Sequence, residues 1–154
     1  MTNDTKTQDG VTYALKTDNK GELYWCVTEY NGESQNLTAI IVDEIDGHPV
    51  KEICEYAFNC WGSLRVVEIK CGTVTLRPNA FYRCRDLHML TFHKLDRIKA
   101  EPKAITNPDP HLVIVATTEC KGKSVGSFKI DAFTTHTVNK IFRKNGTVVY
   151  DCNY

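Results

Sequence analysis

The residues of this chain best suited to chemistry are its cysteines, seven in number, and its five histidines. Cys84, His88 and His93 fall within one short stretch, and thiolate and imidazole are ligands that Zn²⁺ prefers in proteins. If residues 88 to 93 form a strand, however, successive side chains alternate between its two faces, so the two histidines point to opposite sides. The sequence therefore predicts no metal site and no bound cofactor.

The remaining nucleophile candidates also favour packing over catalysis. An odd number of cysteines cannot all pair within one chain. Cys60 and Cys84 each follow an Ala-Phe pair in an apolar setting, where a thiol packs as a small hydrophobic group. We therefore predict that both are buried, free thiols. Gly122-Lys123-Ser124 lacks the preceding glycine of a phosphate-binding loop. No catalytic residue is assigned, and we do not expect an enzyme.

Charge and aromatic residues offer two binding alternatives. Residues 1–60 hold four lysines and eleven acidic residues, a charge of −7, whereas residues 61–104 carry +5 within a net charge of zero. The basic middle segment is a candidate site for an anion or a nucleic acid, and the acidic segment is a candidate for docking on it in a homo-oligomer. Four aromatic residues are candidates for a carbohydrate platform or for a small core: Tyr24, Trp25, Tyr30 and Trp61.

An internal repeat supplies the elements that position these residues. Residues 53–69 align with residues 76–92 at an offset of 23, and a degenerate third copy runs from Leu95 to about Ile114. Six apolar pairs match: Ile53 with Leu76, Ala57 with Ala80, Phe58 with Phe81, Leu64 with Leu87, Val67 with Leu90, and Ile69 with Phe92. Because one copy cannot bury its own apolar side, the copies must stack, with parallel strands and with the two phenylalanines stacked in one core.

Each copy ends in alternating apolar residues, which predicts short strands at 65–70, 88–93 and about 112–115. The Ala-Phe segment before each strand predicts a turn or a short helix. The fold class is thus an α/β repeat, a short solenoid with a parallel strand ladder and β-rich caps.

The two ends of the chain carry the signals of these caps. Val11–Leu15, Leu23–Tyr30 and Leu37–Ile45 are predicted strands separated by turn sequences. Residues 140–144 and 147–150 flank Asn145-Gly146, a strong hairpin signal. We predict one domain with three parts: an N-terminal cap at 1–48, flexible before about residue 10; repeats at 49–116; and a C-terminal cap with a β-hairpin at 117–154.

The repeat resembles a known family. Ala80-Phe81-Tyr82-Arg83-Cys84-Arg85-Asp86-Leu87 matches the core of the BspA-type leucine-rich repeat, and residues 57–64 match it with Cys60 one position early. The resemblance covers about Leu37 to Val115. It implies a parallel repeat fold, no catalytic residues, and surface proteins that bind host proteins, other cells or glycans. Location stays open between the cell surface, if a signal segment has been removed, and the cytoplasm, if Met1 is the native start.

Strand alternation then predicts the binding surface. With Val67 and Ile69 pointing into the core, the intervening side chains must point outward. The outward residues are Val66, Glu68 and Lys70; Met89, Thr91 and His93; and, in the third copy, His111, Val113 and Val115. We expect a non-catalytic scaffold that presents this face to a protein or glycan ligand. Self-association and anion or nucleic-acid binding are the alternatives, and no membrane insertion is expected.

Overall fold

The structure of the chain is a computed structural model. It describes residues 4–31, 37–59, 64–84, 86–93, 97–101, 103–106, 113–116, 120–121, 124–125, 128–129, 140–143 and 148–151. Across these ranges the regular structure consists of strands, without an α-helix. In the same ranges, no helix long and apolar enough to span a membrane is found.

The strands, in chain order, are β1 (Thr5–Gln8), β2 (Val11–Thr17), β3 (Leu23–Tyr30), β4 (Thr38–Ile41), β5 (Glu44–Ile45), β6 (His48–Ile53), β7 (Val66–Ile69), β8 (Thr73–Leu76), β9 (Phe81–Tyr82), β10 (Met89–Phe92), β11 (Arg97–Ala100), β12 (Ile105–Thr106), β13 (Val113–Ala116), β14 (Cys120–Lys121), β15 (Ser124–Val125), β16 (Phe128–Lys129), β17 (Lys140–Arg143) and β18 (Val148–Asp151).

Two larger sheets organise these strands. In the first sheet, the order is β1-β2-β3-β6-β8-β11, with β5 added beside β6. In the second sheet, the order is β4-β7-β10-β13-β17-β18. Pairing is parallel from β3 to β11 and from β4 to β17, whereas the pairs at the chain ends are antiparallel. Small sheets β9-β12 and β14-β15-β16 complete the arrangement.

Strand pairing confirms the repeat alignment. Leu90 lies opposite Val67, Phe92 opposite Ile69, and Leu76 opposite Ile53, so three matched pairs of the sequence alignment are register partners. For the next pair of strands in the second sheet, the offset between paired residues is one residue longer than the repeat offset, because Met89 lies opposite Val113. The same longer offset separates Phe81 from its partner Ile105. The degenerate third copy therefore continues both ladders after a one-residue insertion.

The Ala-Phe segments are turns, which corrects the α part of the predicted fold class. In each copy the alanine N–H donates to the carbonyl three residues earlier, as from Ala57 to Cys54 and from Ala80 to Arg77. The following N–H leaves the segment: Phe58 donates to Ala80 at 2.9 Å in the next copy. Because these donors serve the neighbouring copy, they cannot extend a helix.

In each copy, the residue before the alanine has a backbone in the left-handed region. Tyr56, Asn79 and Lys103 have φ angles of 58°, 58° and 64°. The Tyr56 N–H donates to the Asn79 carbonyl at 3.0 Å, and the Asn79 N–H donates to Lys103 at 2.6 Å. An unfavourable backbone conformation is thus held by hydrogen bonds between copies, and it recurs because the copies stack.

One core lies between the two larger sheets, and stacked aromatic rings cross it. Phe58 and Phe81 are fully buried, with ring centroids 4.9 Å apart and planes 19° apart. Tyr30 extends the stack, 5.3 Å from Phe58. The predicted stacking of the two phenylalanines in the core is confirmed. The stack also ties the repeats to β3, which precedes them in the chain.

The N-terminal part contains strands at the predicted places, with β2 and β3 paired antiparallel, but it differs from the prediction at two places. Thr5–Gln8 pair with β2, five residues before the point where an ordered chain was expected to begin. The single strand predicted at 37–45 is broken at Val42 and Asp43. Its first half joins the second sheet, and its second half turns back on β6 through Asp46 and Gly47, whose φ angles of 51° and 81° suit a tight hairpin.

The C-terminal strand pair is also present, with β17 antiparallel to β18. The Asn145-Gly146 turn itself and Cys60 lie outside the described residues. Strand bounds at the two clear repeats are each one residue shorter at both ends than predicted. Differences of this size are ordinary at strand ends.

Burial of Tyr13 predicts a loss of stability in alkali. Its ring is fully buried, its hydroxyl accepts a hydrogen bond from the Val42 N–H at 3.2 Å, and burial raises its pKa to about 12. A raised pKa in the folded state gives stability that is complete below the unfolded value of 10 and is lost as the pH rises through about 12. The expected loss is about 2–3 kcal/mol.

The comparison that checks this is urea unfolding of wild type and Tyr13→Phe between pH 8 and pH 11.5. At pH 8 the variant should be less stable by about 1 kcal/mol, because the hydrogen bond to Val42 is lost. At the highest pH the difference should narrow or reverse, because the variant has no phenol at this position. A difference that stays constant over the range would contradict the prediction.

Candidate functional site

The predicted strand face occupies neighbouring parallel strands in the second sheet. Val66 of β7 lies opposite Met89 of β10, and Glu68 lies opposite Thr91. All four side chains are partly exposed, whereas Val67 and Leu90, between them in the sequence, are fully buried. The alternation inferred from sequence is therefore present, and the structure brings these four residues together in two rows.

The remaining two residues predicted in the first two copies lie at the ends of these strands. Lys70 and His93 are exposed and directly follow β7 and β10. His93 Nε2 lies 3.5 Å from Glu68 Oε1, which joins the two strands across the face when the imidazole is protonated. This pair places a polar contact on the same face as the apolar side chains of Val66 and Met89.

The rows continue across the sheet in both directions. On one side, Val113 pairs with Met89 and Val115 with Thr91, as the predicted third copy requires, while His111 lies outside the described residues. On the other side, β4 adds residues that the sequence analysis missed. Thr38 lies opposite Val66 and Ile40 lies opposite Glu68, and both are at least partly exposed.

The sequence contains the strand pattern of β4, but its spacing from β7 differs from the repeat offset. Thr38 and Val66 are 28 residues apart, five more than the repeat offset, so the repeat alignment did not include them. The alternation of Ala39 and Ile41, both fully buried, with Thr38 and Ile40 is the same pattern that identified β7. The strand face therefore comprises at least three described strands. The described residues of the strand face are Thr38, Ile40, Val66, Glu68, Lys70, Met89, Thr91 and His93.

The zinc ligands considered from sequence are not brought together. Cys84 is a buried thiol whose Sγ donates to the Phe58 carbonyl at 2.9 Å, as a packed thiol is expected to do. His93 lies on the strand face, and His88 Nδ1 lies 3.4 Å from the Asp86 carbonyl. Within the described ranges, no three His, Cys, Asp or Glu side chains are grouped as a metal would require.

The aromatic platform considered from sequence is mostly core. Trp25 and Tyr30 are each 2% exposed, and the Trp25 indole N–H donates to the Ile45 carbonyl at 2.9 Å. Tyr24 is partly exposed and Trp61 lies outside the described residues. An exposed aromatic pair exists elsewhere, where Tyr56 meets Tyr82 edge to face at 5.1 Å.

A second cluster of chemically active groups lies on the first sheet. Glu52 of β6 is 8% exposed and is the buried charged residue of the described core. Lys16 Nζ lies 3.5 Å and Arg77 Nε 3.4 Å from Glu52 Oε1, and Arg77 also pairs with Glu101. The Tyr24 hydroxyl donates to Glu52 Oε2 at 3.4 Å. Two cationic side chains and a phenolic hydroxyl group therefore contact one buried carboxylate.

The charges of this cluster shift its titration. Burial opposes ionisation of Glu52, but hydrogen bonding to Arg77 and the charge of Lys16 outweigh it and lower the pKa of Glu52. Burial likewise disfavours the Lys16 ammonium, yet nearby Cys26, Cys54 and Glu52 raise its pKa. The carboxylate and the ammonium are therefore both held in their charged forms. Sequence reasoning missed this cluster because its five members come from five separate segments of the chain.

Comparisons with known proteins support the repeat fold. No family model and no curated protein matches the chain. Among solved structures, the chain is similar to a leucine-rich cell surface protein from Faecalibacterium prausnitzii A2-165, with 20% identity and a TM-score of 0.52. The match covers 92% of this chain and 43% of that one, so the chain spans less than half of that protein's length. At this identity the likeness shows a leucine-rich-repeat-like fold.

Proposed function

We propose that this chain is a short leucine-rich-repeat solenoid of the BspA type that acts as a non-catalytic binding scaffold. The ligand, a protein or a glycan, would lie on the strand face. The observation that carries the proposal is the in-register pairing of Val66 with Met89 and Glu68 with Thr91, all partly exposed, on strands whose intervening residues are buried.

Three physical properties make this face suited to binding. Neighbouring strands lie about 4.8 Å apart, so their outward side chains form contiguous rows. The rows combine apolar groups at Val66 and Met89 with the polar contact between Glu68 and His93. Such a combination of apolar area and polar groups is typical of protein interfaces. Strand pairing on both sides of β7 fixes the backbone, so a ligand would pay little conformational entropy to order it.

The structural neighbour agrees with this proposal at the level of fold. That protein is a leucine-rich cell surface protein, and we extend the surface location to this chain as part of the proposal. Repeat proteins use stacked copies to present extended surfaces, and the ladder from β4 to β17 is such a surface.

Charge substitutions on the strand face should abolish ligand binding. We expect wild type to bind one or more ligands on a glycan array or a panel of surface proteins. Met89→Glu and Thr91→Lys should each reduce that binding by at least tenfold, which corresponds to about 1.4 kcal/mol, because each puts a charge into the contact. Their melting temperatures should stay within a few degrees of wild type, because the replaced side chains are partly exposed.

Thr73→Lys is the matched control. Thr73 is an exposed threonine on β8 of the first sheet, so the same substitution there should leave binding unchanged. Unfolding of the Met89 or Thr91 variant would show that the face is core. Undiminished binding by a folded variant would place the ligand on another surface. A dimer of wild type that dissociates in salt would instead favour a second copy of the chain as the partner.

A further inference from the structure

The Ala-Phe turns, which lie between the two larger sheets, form a surface that is separate from the strand face. Tyr56, Asn79 and Lys103 occupy the same position in three consecutive copies, and the Tyr56 and Asn79 N–H groups each donate to the carbonyl of the next residue in this row. Tyr82 and Arg83 follow Asn79 in its own copy. The turn edge consists of these five residues.

The two tyrosines of the turn edge contact each other across copies. Tyr56 is 47% exposed and meets the Tyr82 ring edge to face, with ring centroids 5.1 Å apart. The Asn79 side-chain amide donates to the Tyr56 hydroxyl at 3.4 Å. Among the described residues, Tyr56 and Leu37 are the large apolar side chains that are exposed. Tyr56 therefore offers aromatic surface to a ligand, while two neighbours hold its ring in place.

A guanidinium group lies beside this aromatic pair. The Arg83 Cζ atom lies over the Tyr82 ring, 5.1 Å from its centroid, which is a cation–π contact. Arg83 and Lys103 are both exposed, and in the described part of the chain neither pairs with a carboxylate. A guanidinium group carries a planar fork of N–H donors that matches the two oxygens of a carboxylate. Arg83 is therefore suited to bind an anionic group of a ligand.

The backbone of the turn edge is unusual for the residue types that it carries. Tyr56, Asn79, Arg83 and Lys103 have φ angles of 58°, 58°, 58° and 64°. Glycine or asparagine is the common residue in this left-handed region, where bulky side chains are disfavoured. Strained backbone of this kind is concentrated at functional sites. Three of the four positions nevertheless carry long or bulky side chains, and a binding role on the surface would account for them.

The charge of the turn edge favours a ligand with isolated carboxylates. Residues 61–104 carry a charge of +5 and include four of the five turn-edge residues. Two exposed carboxylates stand close to the turn edge in the sequence, Glu55 beside Tyr56 and Asp86 three residues after Arg83. These carboxylates would repel the closely spaced phosphates of a nucleic acid. A ligand whose negative charges are further apart can contact Arg83 with less repulsion.

We propose that the turn edge binds a glycan that contains uronic acids. The apolar C–H face of a pyranose ring would pack on the exposed Tyr56 ring. The uronate carboxylate would accept two hydrogen bonds from the Arg83 guanidinium, the bidentate pairing to which arginine is suited. The Asn79 amide and the Lys103 ammonium can donate to sugar hydroxyl groups on the same edge. The proposal does not depend on the strand face, because none of these residues belongs to it.

Isothermal titration calorimetry with a tetrasaccharide of alternating glucuronate and N-acetylglucosamine tests the proposal. Wild type should bind the free acid at least about tenfold more tightly than its methyl ester, which keeps the rings and hydroxyls but has no charge. Single-stranded DNA of mixed sequence is the competing probe. Absence of binding to the free acid, equal binding of the methyl ester, or tighter binding of the DNA would each overturn the proposal.

Variants of Arg83 test the ion pair with the carboxylate. Arg83→Gln should weaken binding of the free acid at least about tenfold, and Arg83→Lys should restore only part of the affinity, because an ammonium group cannot pair in a bidentate way. Arg65→Gln is the matched control, since Arg65 is an exposed arginine that directly precedes β7. Equal affinities of Arg83→Gln and Arg65→Gln would contradict the assignment.

Variants of Tyr56 test the aromatic contact. Tyr56→Ala should weaken binding about fivefold, whereas Tyr56→Phe should keep most of the affinity because the ring remains. Leu37→Ala, at the other exposed large apolar residue, and Met89→Glu, on the strand face, should both bind the free acid as wild type does. Melting temperatures of the variants should lie within a few degrees of wild type. Loss of binding in Met89→Glu, with Tyr56→Ala unaffected, would place the sugar on the strand face and overturn the proposal.

Discussion

Replacing Phe81 by alanine is expected to lower the free energy of unfolding by about 3–5 kcal/mol. Phe81 has no exposed surface and stacks on Phe58, which in turn stacks on Tyr30. Its removal leaves a cavity between two copies and takes away the ring on which Phe58 stacks. Because a domain of this size is stable by only about 5–15 kcal/mol, such a loss should appear as a large drop in melting temperature.

Urea unfolding of purified variants measures this loss. Tyr82→Ala is the matched control, since Tyr82 is the next residue on β9 but is partly exposed and meets Tyr56 edge to face. Its cost should be about 1 kcal/mol. If Phe81→Ala does not fold, Phe81→Leu should show the same order with a smaller cost. Equal costs at positions 81 and 82 would contradict the stacked core.

Replacing Leu90 by alanine should cost about 2–5 kcal/mol, whereas the same change at Met89 should cost less than about 1 kcal/mol. Leu90 is fully buried opposite Val67, and Met89 is partly exposed opposite Val66. The contrast between adjacent residues follows from strand alternation alone. It is the simplest test of which side of the second sheet faces the core.

Calorimetry of the two variants under one set of conditions gives the comparison. Val67→Ala should behave like Leu90→Ala, because its side chain is buried on the neighbouring strand. A larger cost at Met89 than at Leu90 would show that the face has been assigned the wrong way round. The proposed binding surface would then be core.

Much of the repeat architecture was predictable because its signal is local and periodic. Ile53, Val67 and Ile69 align with residues one repeat later, and each pair became register partners. A second ladder through β6, β8 and β11 was not predicted. Exposed and buried side chains alternate along Thr73–Leu76, as they do in a strand. This segment lies between the strand of one copy and the Ala-Phe segment of the next, and no strand was predicted there. Stacking of copies extends every strand of the repeat, so one ladder implied the other.

The turns and the Glu52 cluster illustrate what sequence alone could not supply. The Ala-Phe segment at Ala57 was predicted to be a turn or a short helix. Hydrogen bonds to the next copy make it a turn, and these bonds form only when the copies are packed together. Lys16, Tyr24 and Glu52 carry no common motif. They meet because β2, β3 and β6 are neighbours in one sheet, and that order was not part of the sequence prediction.

NMR chemical-shift mapping can show whether a ligand binds to the strand face. A ligand found on the array would be titrated into isotope-labelled protein. The amide signals that change should cluster at Thr38–Ile41, Val66–Ile69 and Met89–Phe92, and those of Thr73–Leu76 on the first sheet should stay in place. Changes concentrated on Thr73–Leu76, with the strand face unaffected, would show that the ligand binds to the first sheet and not to the strand face.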